Sequence, residues 1–472
     1  MCHDIERLKL VALQEIVRLE SQSSLFTSGD DKLIEEVFSS LYDSNIRTVG
    51  PELVFGRIYD CIGFVRIKED LFRHLVISRL AFPLSKLKTT EYLYRYQGKI
   101  IDVDSVYRFL DKLSSSLKPE VEQIAFEHVL RTLKGHISVV FYDMTTLYFE
   151  ASDEDDLRKA GFSKDGQHSN PQILIGLLVG LGGYAIGYDI FEGNTYEGHT
   201  LIPFLERTSR KFHINKPIVI ADSGLLSDKN IIALQDEGYQ YIIGSRLKSE
   251  SDIIRKQITH REYNDGSIYV IDKSECQRII VHYSTKRAKK DLYNRTKGLN
   301  RLEKRVKSGK LTKSNINNRG YNKYLCMDGK IDIKIDYQKF EQDTLWDGLK
   351  GYVTNAKLPD QTILENYRNL FHIERAFRIS KTDLRIRPIY HCLRNRIEAH
   401  ICIAFTAYTI YKELERVLKE EKSALSLKTA SEITHNMYQV TYQLPDSKHI
   451  KSTLLNMDHQ QRELYQIIQK YF

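Results

Sequence analysis

The chain has 472 residues, 42% of them apolar, and carries a formal net charge of +8. That length can bury a full core in two or three domains. Six scattered cysteines (Cys2, Cys61, Cys276, Cys326, Cys392, Cys402) form no CxxC pair, which argues against a zinc module or disulfide scaffold and for a reducing compartment.

Residues 1–135 read as helical. The opening MCHDIERLKL is charged and lacks the apolar core of a signal peptide, so a cytoplasmic protein is expected. LFRHLVISRLAF (71–82) repeats apolar residues at helical spacing until Pro83 stops it. SKLKTTEYLYRY follows, with Ser85 as N-cap and Gly98 at its end. A third helix, SVYRFLDKLSS, starts at Ser105. Three short helices carrying Lys86, Lys88, Arg95 and Arg108 suit a helix-turn-helix DNA reader, although other small helical domains look the same in sequence.

From residue 137 the period changes. HISVVFYD reads as a buried strand ending in Asp143. PQILIGLLVGLGGYAIGYDIF (171–191) is apolar enough to suggest a membrane span, but its glycines make it two buried strands around a Gly-Gly turn. KPIVIADSG (216–224) is a further apolar run that ends in an aspartate, Asp222. The helix SDKNIIALQDEG and the strand YQYIIGS complete an α/β pattern with a mixed sheet over 136–245.

Residues 246–345 look like a β-rich insertion carrying a basic arm, with strands at NDGSIYVID, QRIIVHYS and IDIKIDY. Between Lys286 and Lys323, fourteen Lys and Arg stand against two acids (Asp291, Glu303), a net +12 that leaves the rest of the chain at −4. Such a concentration, including Lys286, Arg287, Lys289 and Lys290, points to a polyanion, because each cation near a phosphate releases counterions. A solvated helix with no ligand is the plain alternative. Residues 346–415 return to the core with the strand GLKGYVT and one long helix through LPDQTILENYRNLFHIERAFRISK, and 416–472 read as a C-terminal helical region.

Burying an unpaired carboxylate costs several kcal/mol, so Asp143 needs a partner, a metal or an open strand end. The carboxyl ends of neighbouring parallel strands would bring Asp143 and Asp222 together. On the helix, Tyr367, Leu370, Glu374, Arg378 and Lys381 recur at spacings of three, four, four and three and so share one face. Three carboxylates suit two Mg²⁺ ions about 3.5–4 Å apart, with Mn²⁺ as the substitute. Taken singly, each aspartate is ordinarily an Asx turn or cap, and Glu374 an i,i+4 partner of Arg378. A phosphatase of the haloacid dehalogenase type would want a second aspartate where Thr145 stands.

The stretches FYDMTTLYFE, GFSKDGQHSNPQILIGLLVG, FEGNTYEGHT, IVIADSGLLSDKNI and YRNLFHIERAFRISKTDLRIRPIYH together resemble the DDE transposases of bacterial insertion sequences, in the broad IS-four group. The resemblance spans about residues 50–415. It implies an RNase H-like core with a β-strand insertion, and Asp143, Asp222 and Glu374 as metal-binding catalytic triad. It further implies double-stranded DNA as partner, a homodimer on paired ends, and no membrane. Tyr367, Glu374 and Lys381 match the group's helical signature, and Tyr367, Arg378 and Lys381 are expected to contact DNA, but Leu370 stands where an arginine is expected. Its polar neighbours place Leu370 toward the DNA channel, with Arg368 or Arg375 as replacements for the missing cation. The threonines after Asp143 either orient its carboxylate or are ordinary strand residues. A nuclease of the same fold without strand transfer, and a silent transposase-derived DNA-binding protein, are the competing readings.

Overall fold

The computed structural model describes residues 29–39, 41–42, 45–150, 153–161, 170–309, 311–317, 320–328, 332–444 and 447–472. Residues 162–169 of the GFSKDGQHSN stretch and residues 310 and 318–319 of the basic stretch lie outside these, as does the opening decapeptide. The chain forms two compact units: the described residues up to Leu113 with Ile410–Phe472, and Ser114–Thr409. Among the described residues, no helix is long and apolar enough to cross a membrane.

The first unit contains the three expected helices, α1 (Asp70–Ala81), α2 (Lys86–Gln97) and α3 (Val103–Lys112). Local chemistry sets their ends. Ser85 accepts the Lys88 amide, Gly98 closes α2 at a φ of 67°, and Asp102 caps α3 by accepting the Ser105 amide, so α3 starts before Ser105. Lys86 is buried, whereas Lys88, Arg95 and Arg108 are exposed. Residues 416–472 are not wholly helical: strands Tyr438–Gln443 and Ile450–Leu454 pair with each other, and Ile46–Thr48 joins them as a third.

The second unit is built on an eight-stranded mixed sheet. Its strands are β1 (Val139–Tyr148), β2 (Gln172–Val179), β3 (Ala185–Glu192), β4 (Ile218–Ala221), β5 (Tyr241–Ser245), β6 (Ile268–Ser274), β7 (Gln277–Tyr283) and β8 (Leu349–Thr354). Their order is β3-β2-β1-β4-β5-β8-β7-β6. β1, β2 and β3 form an antiparallel meander, and β4 and β5 then follow β1 in parallel. This is the RNase H-like arrangement. The hairpin at 171–191 turns at Gly182 and Gly183, whose φ values of 75° and 85° need residues without a Cβ. The hairpin β6–β7 does not stand apart as an insertion; it extends the core sheet, with β7 pairing along the whole of β8.

Helices cover both faces of the sheet. α4 (Lys118–Thr132) and α5 (Leu201–Phe212) bury Phe126, Val129, Phe204 and Phe212 against Val140, Tyr142, Met144 and Leu178. Between β7 and β8 runs the basic stretch as α6 (Thr285–Lys307), followed by a separate strand pair, Leu325–Asp328 with Asp332–Ile335. Leu299, Leu302 and Val306 of α6, at spacings of three and four, pack against Tyr324, Leu325 and Phe340 in a small satellite core. α7 (Asp360–Arg368), α8 (Phe371–Thr382) and α9 (Arg394–Glu420) complete the region, and α9 runs on into the first unit.

The single long helix expected over 358–381 is two helices. Around Asn369 and Leu370 the amides of Leu370, His372 and Ile373 bond three residues back rather than four, and this tightening offsets α8 from α7.

Candidate active site

Sheet register brings the two aspartates together. β1 and β4 pair in parallel from Val139 with Ile218 to Tyr142 with Ala221, so the next residues of the two strands are Asp143 and Asp222. Asp143 is not at a strand end as expected. It is the fifth residue of β1, which continues to Tyr148 because β2 pairs with it as far as Gln172. What ends at Asp143 is the pairing with β4. The carboxylate therefore sits at the notch where one neighbour leaves the sheet, half-buried between buried strand residues. Asp222, exposed, turns the chain out of β4 and accepts the Gly224 amide at 2.9 Å.

The third carboxylate comes from α8. Phe141 shares the face of Asp143, since alternate strand residues point the same way, and its ring lies 6.3 Å from that of His372. Two residues on, Glu374 is exposed in the first turn of α8. Tyr367, 6% exposed, packs edge-on against Tyr352 at 4.6 Å. Its hydroxyl fills the space above Gly244, where a Cβ would approach it to 2.5 Å. Burial raises the Tyr367 hydroxyl pKa above its ordinary value, and the nearby charges of Asp222 and Glu374 add to the rise. Lys350 on β8 feels the same two carboxylates. Burial and Arg287 lower its pKa, while Asp222 and Glu374 oppose them.

The break at 369–370 divides the expected helical face. Leu370 is buried, 9% exposed, and does not face a DNA channel. Glu374 and Arg378 are exposed, as is Arg368, while Arg375 is half-buried. Half-buried Lys381 borders a small apolar cavity with Thr145, Ile175, Phe377 and Phe405. Thr145 and Thr146 are buried strand residues.

The basic helix α6 divides as well. Lys286, Arg287, Lys289 and Lys290 are exposed. Arg295 is buried: it pairs with Asp347 at 2.7 Å, donates to the Phe340 carbonyl at 3.0 Å and stacks on the Phe340 ring, so it is structural. Lys323 is held by Asp343.

A family model described as "Transposase DDE domain" matches residues 134–410. The chain belongs to this family. The match covers more than half of the sequence and contains Asp143, Asp222, Glu374 and every strand of the large sheet. No curated protein sequence matches the chain. Among solved structures, it is similar to the piggyBac transposase in a synaptic complex with hairpin DNA, at 9% identity and a TM-score of 0.41, over 77% of this chain and 69% of that one. It is also similar to the Mos1 transposase in a paired-end complex with the left transposon end (11% identity, TM-score 0.17, 48% and 70% covered). The Mos1 mariner paired-end complex with Mn gives 11% identity and a TM-score of 0.16, with 49% and 72% covered.

DDE transposases use divalent metal ions. The donor types in this DDE domain fit such an ion, because carboxylate oxygens are the ligands Mg²⁺ and Mn²⁺ prefer. Among the described residues, however, no three His, Cys, Asp or Glu side chains stand close enough together to hold one. Sequence reasoning missed Lys350 and Gly244. A lysine inside the strand LKGYVT, two residues before a tyrosine on the same face, was the signal for the first.

Proposed function

We propose that this DDE transposase cuts DNA at the ends of its own insertion sequence and joins the freed 3′ ends to a target. The observation that carries the reading is the parallel register of β1 and β4, which sets Asp143 on β1 beside Asp222 at the exit of β4, with Glu374 on the helix packed over Phe141. The three carboxylates are taken as the catalytic residues; in this structure they do not stand within ligating reach of one ion, and they would hold two Mg²⁺, or Mn²⁺ in its place, only once drawn closer together. When bound, the metal neutralises charge on the phosphoryl oxygens and lowers the pKa of water. Water adds to phosphorus and the 3′ oxygen leaves, taking up a proton to become a hydroxyl. That hydroxyl then attacks a target phosphodiester in line and displaces its 3′ oxygen.

The chain's own residues supply position. Tyr367 buttresses the Asp222 turn through Gly244. Arg378 and Lys381 contact backbone phosphate near the active site. Exposed Lys286, Arg287, Lys289 and Lys290 track the DNA backbone without reading sequence. Residues 1–135 bind the element ends through α1–α3, and two copies act on paired ends. By this reading the chain belongs to the broad IS-four group and acts at the bacterial nucleoid.

A supercoiled plasmid carrying the element, mixed with protein, Mg²⁺ and a second target plasmid, tests this. Cut ends together with joined products support transposition. Cut ends alone leave a nuclease, and binding without cutting leaves a silent DNA-binding protein.

A further inference from the structure

Beside Asp222 lies a cleft of about 280 Å³. Ser223, Gly244, Arg246, Arg287, Lys350 and Tyr367 border it, so it opens directly next to the carboxylates. Its cations are under-neutralised. Among the described residues, the side chains of Arg246 and Lys350 have no hydrogen bond or ion pair to a protein acceptor, although their backbones are bonded. Arg287 has one loose contact, 3.5 Å to Asp291 on its own helix. Lys248, also at the cleft, differs, because Asp343 satisfies it at 2.7 Å. The Lys350 ammonium sits 4.5 Å from the Tyr367 ring centre and 5.7 Å from that of Tyr352, which fixes the half-buried side chain. Half-buried Lys350 is partly removed from water without an acceptor, which is costly, and a ligand oxygen would recover that cost, while exposed Arg246 and Arg287 add positive charge at the cleft.

Three cations, from the turn after β5, from β8 and from α6, match a phosphate group, a single anion with several acceptor oxygens. Resting on the transposase reading, we propose that the cleft is a phosphate subsite. In it Arg246, Arg287 and Lys350 hold the DNA backbone phosphate next to the one being cut. Lys350 is then a positioning residue, and Asp222 and Glu374 face a strand anchored on both sides.

The chain has one tryptophan, Trp346, and it lines this cleft, so its fluorescence reports occupancy. Full-length protein without metal is titrated with a 40-base-pair duplex, and separately with inorganic phosphate at equal phosphate concentration. The expected result is a saturable change with duplex and none with inorganic phosphate. An Arg246→Gln/Lys350→Gln double variant should still shift the duplex on a gel through α6 but lose most of the fluorescence change. Lys350→Arg in an otherwise unchanged chain should retain it. Lys304→Gln, about 25 Å along α6 from Arg287, should weaken binding without altering the amplitude. No fluorescence change in the unmodified protein, an undiminished change in the double variant, or a response to inorganic phosphate in place of duplex overturns the proposal. Mg²⁺-dependent nicking by the same preparation is scored separately. A fluorescence change without nicking retains the subsite and removes the transposase reading.

Discussion

Replacing Leu370 by arginine, the residue expected there by resemblance, should damage the protein rather than improve it. Leu370 is 9% exposed at the junction of α7 and α8. Removing a buried leucine side chain costs about 2–5 kcal/mol, and a site this near the surface belongs in the lower half, about 2–3 kcal/mol. The new guanidinium would stand at the N-terminus of α8, where a positive charge costs about 0.3–1 kcal/mol more. Its long stem can carry the charge out to water, so the full penalty of a buried ion does not apply. The total for Leu370→Arg is about 3 kcal/mol, against about 2 kcal/mol for Leu370→Ala. Urea unfolding followed by the fluorescence of Trp346, which lies in the same unit, reads the change without DNA. With a denaturant slope of about 3 kcal/mol per molar, the midpoint should fall by about 1 M. A midpoint equal to the unmodified protein's, together with tighter DNA binding, would refute the buried placement and restore a channel-facing one.

Neutralising Lys286, Arg287, Lys289 and Lys290 together should weaken binding to unrelated and end sequences alike, lowering the log–log salt slope by up to about four units in filter-binding titrations. Arg295→Gln, by contrast, should leave that slope unchanged and lower the urea midpoint, because it orphans Asp347 beneath the same helix. His74 gives a pH signature. Burial, with the Lys99 ammonium beside it, holds the ring's pKa down at about 4. Between about pH 6.5 and 4 the unfolded chain binds a proton there that the folded chain does not, so this site costs stability as pH falls through that window. Melting temperatures at pH 7 and pH 5 should differ less in His74→Gln than in the unmodified protein, and equal differences would count against it.

Local signals were legible, and pairings across the chain were not. Ser85 and Gly98 mark α2 because caps act within one turn, and the glycines at 182–183 mark their hairpin for the same reason. That Asp143 lies mid-strand depends on β2 pairing as far as Tyr148, which nothing in VVFYDMTTLYFE reveals. The break at Asn369 and Leu370 has no proline or glycine to announce it, so the apolar period runs straight through the junction. The hairpin β6–β7 reads identically whether it stands alone or joins β8, because strand partners are chosen by tertiary packing. Lys350 carries a local signal, a lysine inside an apolar strand two residues before Tyr352, but its place beside Tyr367 depends on separate elements coming together.

The central claim is that Asp143, Asp222 and Glu374 form one metal-dependent site. Asp143→Asn, Asp222→Asn and Glu374→Gln keep the shape of each side chain and remove its charge. The deciding measurement is single-turnover cleavage of DNA carrying the element ends in Mg²⁺, alongside binding to the same DNA in Ca²⁺. Each variant should lose cleavage by at least about a thousandfold while binding within a few-fold of the unmodified protein. Near-normal cleavage by any one of the three would contradict the account.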